Sequence, residues 1–364
     1  MLTRFVKMAG GATLLLAQPA FAHHPSGVGS TGGAGPINTI SASPLDKGET
    51  AASIAFEWIK FDPLSNAFLA DFGATHGHDV HVHSLSSILA PAISLGYGIT
   101  ADFTISARLP VVVRTDIKEA AHVHPGGGAP AVGTVDFLGD SAGIGDLSLL
   151  GQYRFYNNRA TQTELALLLG VKAPTGITNR HTDTGELFDA EFQPGSGSWD
   201  GLFGLAATKR IGPWSFDANV LYVLATEGTQ STDLGDRFLY NAAVSYRLMQ
   251  GASAAAPMKL GMLPDPMWHG GPGTHQHSHL QEASAGPALD LVLELNGEWH
   301  AKEVQSGVTD PNSGGNTLYL APGLRFSKDN WSSYVSVGIP IINDLNGIQA
   351  EPEIRVVTGL SVTF

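Results

Sequence analysis

Residues 353–364 read E-I-R-V-V-T-G-L-S-V-T-F, and this stretch decides the fold. Ile354, Val356, Thr358, Leu360, Val362 and Phe364 fall on one face of an extended chain. Glu353, Arg355, Val357, Gly359, Ser361 and Thr363 fall on the other. Such period-2 alternation marks a strand with one apolar and one mostly polar or small face. The pattern recurs from Thr50 onward. Leu289, Leu291, Leu293 and Leu295 alternate with Asp290, Glu294 and Asn296; Trp214, Phe216, Val220 and Tyr222 alternate with Ser215, Asp217 and Asn219. Phe238, Tyr240, Val244 and Tyr246 oppose Asn241, Ser245 and Arg247. About twelve such segments can be counted, an even number, several of about ten residues, the length a tilted strand needs to cross hydrocarbon. The expected fold is all-β: a transmembrane antiparallel β-barrel.

The chain ends on an aromatic residue, and in this it resembles proteins of the bacterial outer membrane. Phe364 is then the residue expected to be read by the barrel-assembly machinery. The opposite end reads as a signal peptide over residues 1–22. Arg4 and Lys7 precede the short apolar run Met8–Ala17, and Ala20-Phe21-Ala22 is a cleavage signal. That run is too short to span a bilayer, and no later segment is apolar enough for a transmembrane helix. Hydrophobic residues make up 43% and charged residues only 15%, and there is no cysteine, so disulfides and thiolate chemistry are excluded. Loss of Arg4 and Lys7 takes the formal charge from −13 to −15, which argues against nucleic acid as a partner. The partners expected are outer-membrane lipid and a metal ion or small solute, and the location is the outer membrane. A soluble barrel would turn its apolar face inward, so orientation is the test of this reading.

Residues 23–48 form a Gly/Ser/Pro-rich segment without periodicity, expected by analogy to fold into the lumen as a plug. The barrel is expected over 49–364, with short turns on one side and longer loops on the other. Its His-rich loops are placed at 62–84, 117–143 and 250–287. The last is long yet falls on the periplasmic side by counting, against the usual rule. Several segments resemble a named family. These are Gly143-Ile144-Gly145-Asp146-Leu147 with Gln152-Tyr153-Arg154, Lys172-Ala173-Pro174-Thr175-Gly176, Pro194-Gly195-Ser196-Gly197-Ser198, and Tyr240 to Arg247. They look like the outer-membrane barrel family named for the meta-pathway of phenol degradation, whose members are described as transporters. The resemblance implies a fold and a location; phenol itself is not inherited from the label.

Histidine is the unusual feature of the composition, with 14 residues, mostly in loops. His76, His78, His81 and His83 lie in T-H-G-H-D-V-H-V-H, with Asp79 among them; His122 and His124 form another H-x-H; His269, His275, His277 and His279 lie in the 250–287 segment. Neutral imidazole is a good ligand for Cu and Zn, and His-rich tracts read as metal-binding. His23, the first residue after cleavage, adds an amine and an imidazole for copper. The first three H-x-H pairs are expected outside the cell and the last two in the periplasm. Solvated, mobile loops are the plainer explanation of the same histidines.

The inward faces carry charges of both signs, candidates for a lumen selectivity site: Glu57, Asp102, Arg108, Asp146, Arg154, Asp217, Arg247, Asp290, Glu294, Glu298, His300 and Arg325, with Glu164 and Lys172 alongside. Mixed charges in a narrow lumen also pair and close it. No G-x-S-x-G elbow is present, so no enzyme is expected and no cofactor is required beyond Cu or Zn ions as cargo or ligand. Three readings stand. One is a channel or transporter that gathers transition metals through its loops. Another is a channel for a small organic or aromatic solute with incidental histidines. The third is a non-conducting, metal-binding or sensing barrel.

Overall fold

The structure, a computed structural model, describes residues 35–76, 82–124, 131–250 and 286–364. Twelve strands form the wall: β1 Thr50–Asp62, β2 Ala92–Thr100, β3 Phe103–Val123, β4 Leu147–Asn158, β5 Thr163–Ala173, β6 Asp200–Ile211, β7 Trp214–Leu224, β8 Arg237–Gln250, β9 Ala288–His300, β10 Gly315–Lys328, β11 Trp331–Leu345 and β12 Glu351–Thr363. Each pairs antiparallel with its sequence neighbours, and β12 closes on β1 with Ile54 opposite Leu360 and Ala51 opposite Thr363. Closure pairs the backbone groups that lipid cannot satisfy over most of the wall. Among the described residues no helix is long and apolar enough to cross a membrane.

The wall is inside-out relative to a soluble barrel. Leu291 and Leu293 are 44% and 49% exposed, while Asp290 and Glu294 on the same strand are each 1% exposed. Phe216 is exposed and Asp217 buried, by the same alternation. Aromatic rings stand at both rims of this outer face. Trp214 packs on Tyr246 at one end (4.6 Å between ring centroids), and Phe238 stacks near Tyr240 at the other (6.1 Å). Amphipathic rings favour the headgroup level.

Turns at the end carrying Thr50 and Phe364 are tight: residues 101–102, 159–162, 212–213 and 329–330. At 212–213 the backbone turns through Gly212 at φ +55°, a conformation that costs glycine little. The other end is elaborate, and two sequence expectations are corrected there. Residues 117–143, read as a loop, are mostly a β-hairpin: β3 runs on to Val123 and pairs with the strand Val132–Ile144, with Ala120 opposite Val135. Residues 62–84 contain a helix, α1 Asn66–His76, laid on that hairpin. Gly73 and Gly133 let the backbones touch, since a Cβ on Gly133 would stand 1.6 Å from the Ala70 carbonyl oxygen. The 3.6-residue period of α1 is weak, so alternation counting passed over it.

The ladder between β11 and β12 stops at Gly338 opposite Arg355, short of the outer ends of both strands. Pro340 and Pro352 lie in the stretch beyond, and neither has an N–H to give. There the Asn343 side chain spans toward Glu351 Oε2 (3.4 Å) and the Pro352 carbonyl (3.3 Å).

Candidate functional site

Inward-facing positions of the wall are not uniform around the barrel. From β4 to β7 they include an apolar patch, in which Leu150, Ala166, Leu168, Leu202, Ala206, Leu221 and Val223 form one buried cluster, with the ion-paired Arg154, Glu164, Lys172 and Asp200 on the same strands. Around the rest of the circumference charged and hydroxylic side chains are interspersed with apolar ones such as Ala55, Ala243, Val292 and Ala321. Glu57, Arg108, Asp290, Glu294, Arg325 and Arg355 are all buried there. The lumen therefore carries one apolar patch within a mixed, largely polar lining.

Residues 36–45 run inside the wall from Glu294 to the apolar patch. The Glu294 carboxylate accepts the backbone N–H groups of Ile37 (3.1 Å), Asn38 (2.9 Å) and Thr39 (3.0 Å), together with the Asn38 amide (2.7 Å). Arg325 donates to the Pro36 carbonyl at 3.2 Å. The chain then crosses to the apolar patch, where Ile40 and Ala42 join the buried cluster. Ile40 N–H meets Asn219 Oδ1 and Ala42 N–H meets Thr208 Oγ1, both at 2.8 Å. Leu45 N–H ends on Thr104 Oγ1 at 2.8 Å, near the tight-turn rim. A segment without strand partners must satisfy its buried N–H groups somewhere, and wall side chains supply the acceptors. No sequence signal paired Glu294 with residues some 256 positions away; the Gly/Ser/Pro composition of 23–48 showed only that no regular element would form there.

Most lumen charges pair across neighbouring strands. Arg355 Nε meets Glu57 Oε1 at 2.7 Å, with Arg108 beside them. Arg247 pairs with Asp290, Arg237 with Glu298 at 3.3 Å, and His300 lies buried opposite Arg237. Arg154 bridges Asp102 (2.8 Å) and Glu164 (2.7 Å), which Arg210 also reaches. Asp217 accepts from Thr208 (2.6 Å) and Ser215 (2.7 Å). Asp102 departs from the expected arrangement: it sits half-exposed in the rim turn and not on the inner wall. Arg325 lies near Asp290 in addition to its Pro36 contact. Buried pairs of this kind set geometry more than they stabilise.

Three of the motif segments that carried the family resemblance meet at one buried node. Lys172 of β5 pairs with Asp200 of β6 and stands 3.7 Å from Asp146; its ammonium also donates to Ser196 Oγ at 2.7 Å. Asp146 takes the Gly176 N–H (2.9 Å), the Ser196 N–H (2.8 Å) and the Ser196 hydroxyl (2.7 Å). Gly176 and Gly195 cross so closely that a Cβ on Gly176 would lie 2.6 Å from the Gly195 Cα. The motifs thus tie both ends of the 174–199 loop to the wall.

The outer mouth is filled by that loop. Phe188 and Phe192 pack with Ile59, Phe61, Leu85, Ile88, Val112, Ile117 and Leu138. Beside them lies a buried ionic cluster. His83 Nδ1 meets Glu191 Oε1 at 2.8 Å, and its Nε2 faces Asp189 (3.4 Å) and Glu119 (3.5 Å). Burial disfavours the charged imidazole, but hydrogen bonds to Glu119 and Glu191 outweigh it and hold His83 well above its usual 6.5. Burial, reinforced by Glu191 and Asp310, pushes the neighbouring Glu303 carboxyl well up. A raised folded-state value means that the His83 contribution is complete below pH 6.5 and fades as pH rises through the raised value. Replacing His83 by glutamine should therefore cost about 1.5–3 kcal/mol at mildly acidic pH and less at alkaline pH. Protease nicking of the 174–199 loop as a function of pH checks this; a variant that nicks like the parent at every pH would contradict it.

The histidine candidates are scattered in the structure. His83 is the ion-pair centre just described. His76 ends α1 and stacks on Phe72 at 4.0 Å. His122 and His124 sit edge to face at 5.0 Å near the hairpin tip. His23, His78, Asp79, His81, His269, His275, His277 and His279 lie outside the described residues. Among the described residues no group of three or more His, Asp and Glu side chains is placed to hold a metal ion. The expected extended H-x-H geometry at His76 is replaced by a helix end, because α1 continues to that residue.

A closed twelve-stranded antiparallel barrel, apolar outside and polar inside, is an outer-membrane β-barrel, and its place is the bacterial outer membrane. Residues 80–257 match the model of the family described as "Putative MetA-pathway of phenol degradation". The fold is similar to that of an outer-membrane channel from Pseudomonas putida F1, with 16% identity, 90% of this chain and 100% of that chain covered, and a TM-score of 0.53. The CymD monoaromatic hydrocarbon channel (9% identity, 88% of each chain, TM-score 0.39) is more distant. So is the β-domain of the Bordetella autotransporter BrkA (12% identity, 87% of this chain and 99% of that chain, TM-score 0.40). No curated protein matches the sequence.

Proposed function

We propose that this barrel conducts a small, largely apolar solute, of the aromatic class its family description suggests, across the outer membrane. The observation that carries the reading is the apolar patch of the lumen, Leu150, Leu168, Leu202, Leu221 and Val223, set among ion-paired side chains. A water-filled ion pore has no use for a leucine-lined inner wall, whereas an apolar solute gains from every apolar area it covers. Ligand sites are mostly apolar with a few placed polar groups, and this lumen has that composition. Residues 36–45 act in this reading as the plug that keeps the path narrow. The interrupted ladder between β11 and β12 offers an apolar solute a side exit into lipid, where no loss of backbone pairing is needed to open it. Transition-metal passage has weaker support, since His76, His83, His122 and His124 are engaged in ring contacts and ion pairs.

The test is uptake of radiolabelled toluene, at low concentration, by cells that carry the barrel and by cells that lack it. Leu168→Asn with Leu221→Asn puts two uncompensated amides in the apolar patch, each costing roughly 1–3 kcal/mol for a bound apolar solute. Uptake should fall to the level of cells without the barrel. Equal uptake with and without the protein would sink the reading.

A further inference from the structure

Loop 174–199 carries its own aromatic rings into the outer mouth. Phe188 and Phe192 are 1% and 0% exposed, with ring centroids 6.4 Å apart and planes at 61°. Their surroundings come from the rim: Ile59 and Phe61 of β1, Leu85 and Ile88, Val112 and Ile117 of β3, and Leu138 of the outer hairpin. These neighbours are aliphatic or phenyl, and the His83 imidazole meets the Phe192 ring edge to face at 4.9 Å, so the pocket suits an aromatic ring.

The loop's attachments differ along its length. Its base is bound through the ion-paired Lys172, Asp146 and Asp200 and the Gly176–Gly195 crossing. Its tip holds itself together: Gln193 accepts from Arg180 N–H (2.8 Å) and donates to the Arg180 (3.0 Å) and Phe188 (2.7 Å) carbonyls. The tip is fastened to the rim through buried carbonyls and the Asp189 and Glu191 side chains, and Gln230 donates to the Phe188 carbonyl at 2.9 Å. Ser141 Oγ donates to the Phe192 carbonyl at 2.7 Å, Arg114 donates to the Gln193 carbonyl at 3.2 Å, and Glu191 meets His83 at 2.8 Å. A firm base, a self-bonded tip and an apolar seat for two rings are the parts of a lid that moves as one piece.

We propose that the pocket now filled by Phe188 and Phe192 is the outer-mouth binding site for the ring of an apolar solute, and that loop 174–199 is a lid whose phenyl rings occupy the site until a solute displaces them. This rests on the apolar-conduit reading and adds to it a defined first station and an autoinhibitory contact. An apolar pocket of this kind accepts a benzene-sized molecule readily once its own ring is withdrawn. The solute replaces phenyl contacts with equivalent ones, so the lid is released at little net cost in apolar burial.

The chain has no cysteine, so Leu187→Cys, on a residue 42% exposed beside the first ring, takes a single spin label. Toluene added to the labelled full-length barrel should raise label mobility in a saturable way, and glycerol should not. Adding Phe192→Ala should lower the half-saturating toluene concentration by at least roughly tenfold, because a ring removed from the seat no longer competes. A label that stays immobile at saturating toluene, in both proteins, overturns the lid and its site. If cells still take up toluene in that case, the conduit reading survives alone. If the lid is released by toluene but uptake does not depend on the barrel, the site stands and the conduit reading falls.

Discussion

Replacing Glu294 by alanine should convert a nearly closed barrel into an open one, seen as a several-fold rise in single-channel conductance in planar bilayers. The Glu294 carboxylate receives three consecutive backbone N–H groups, from Ile37, Asn38 and Thr39, as well as the Asn38 amide. Without it those donors remain buried with no acceptor, at a cost of about 1–3 kcal/mol each. That sum exceeds what the remaining contacts of a strandless segment can hold, so residues 36–45 should leave the wall. Glu294→Gln keeps one acceptor oxygen and should give an intermediate conductance. The wall itself should persist, because β9 keeps both ladders, to β8 and to β10. Heat-modifiable gel mobility verifies that. Parental conductance in a folded Glu294→Ala barrel would show that this segment does not control the lumen.

The largest loss of stability should follow from Lys172→Met. Lys172 is buried between Asp200 and Asp146, and removing its charge leaves two buried carboxylates facing one another across the node. Breaking a buried pair by deleting one partner costs about 3–5 kcal/mol, whereas removing both charges is often close to neutral. Lys172→Met with Asp200→Asn should therefore recover a large part of the loss. Thermal unfolding in detergent, followed by circular dichroism, measures both. The same variants should expose the 174–199 loop to protease, since its two ends are tied there through Gly176 and Ser196. A single variant as stable as the parent would mean that the node is wet or that its charges are compensated elsewhere.

The wall of the barrel was legible residue by residue. Strand count, closure and the outward set of Leu291, Leu293 and Phe216 followed from alternation, because a period of two leaves each side chain only one of two faces to occupy. The family motifs were visible as motifs, but their role was not. Only folding brings Asp146, Lys172, Ser196 and Asp200 together, since their meeting depends on strand register and on the path of a loop. The helix α1 and the outer hairpin were read as loop, because a weak apolar period over eleven residues and a broken alternation look alike to a pattern count.

What the sequence by itself determined is the fold class, the membrane location and which residues face lipid, all properties of local period and composition. The tertiary structure decided which inward residues meet. It put Glu294 against Ile37, Asn38 and Thr39, gathered the leucines of β4 to β7 on one side of the lumen, and set Phe188 and Phe192 into the mouth. It also drew His83 into an ion-paired cluster with Glu119, Asp189 and Glu191, where the sequence pattern suggested a metal ligand. The physical reason is common to these cases. Alternation specifies a face, but a contact between distant segments is selected by satisfying buried charges and N–H groups, and that condition exists only once the barrel has closed.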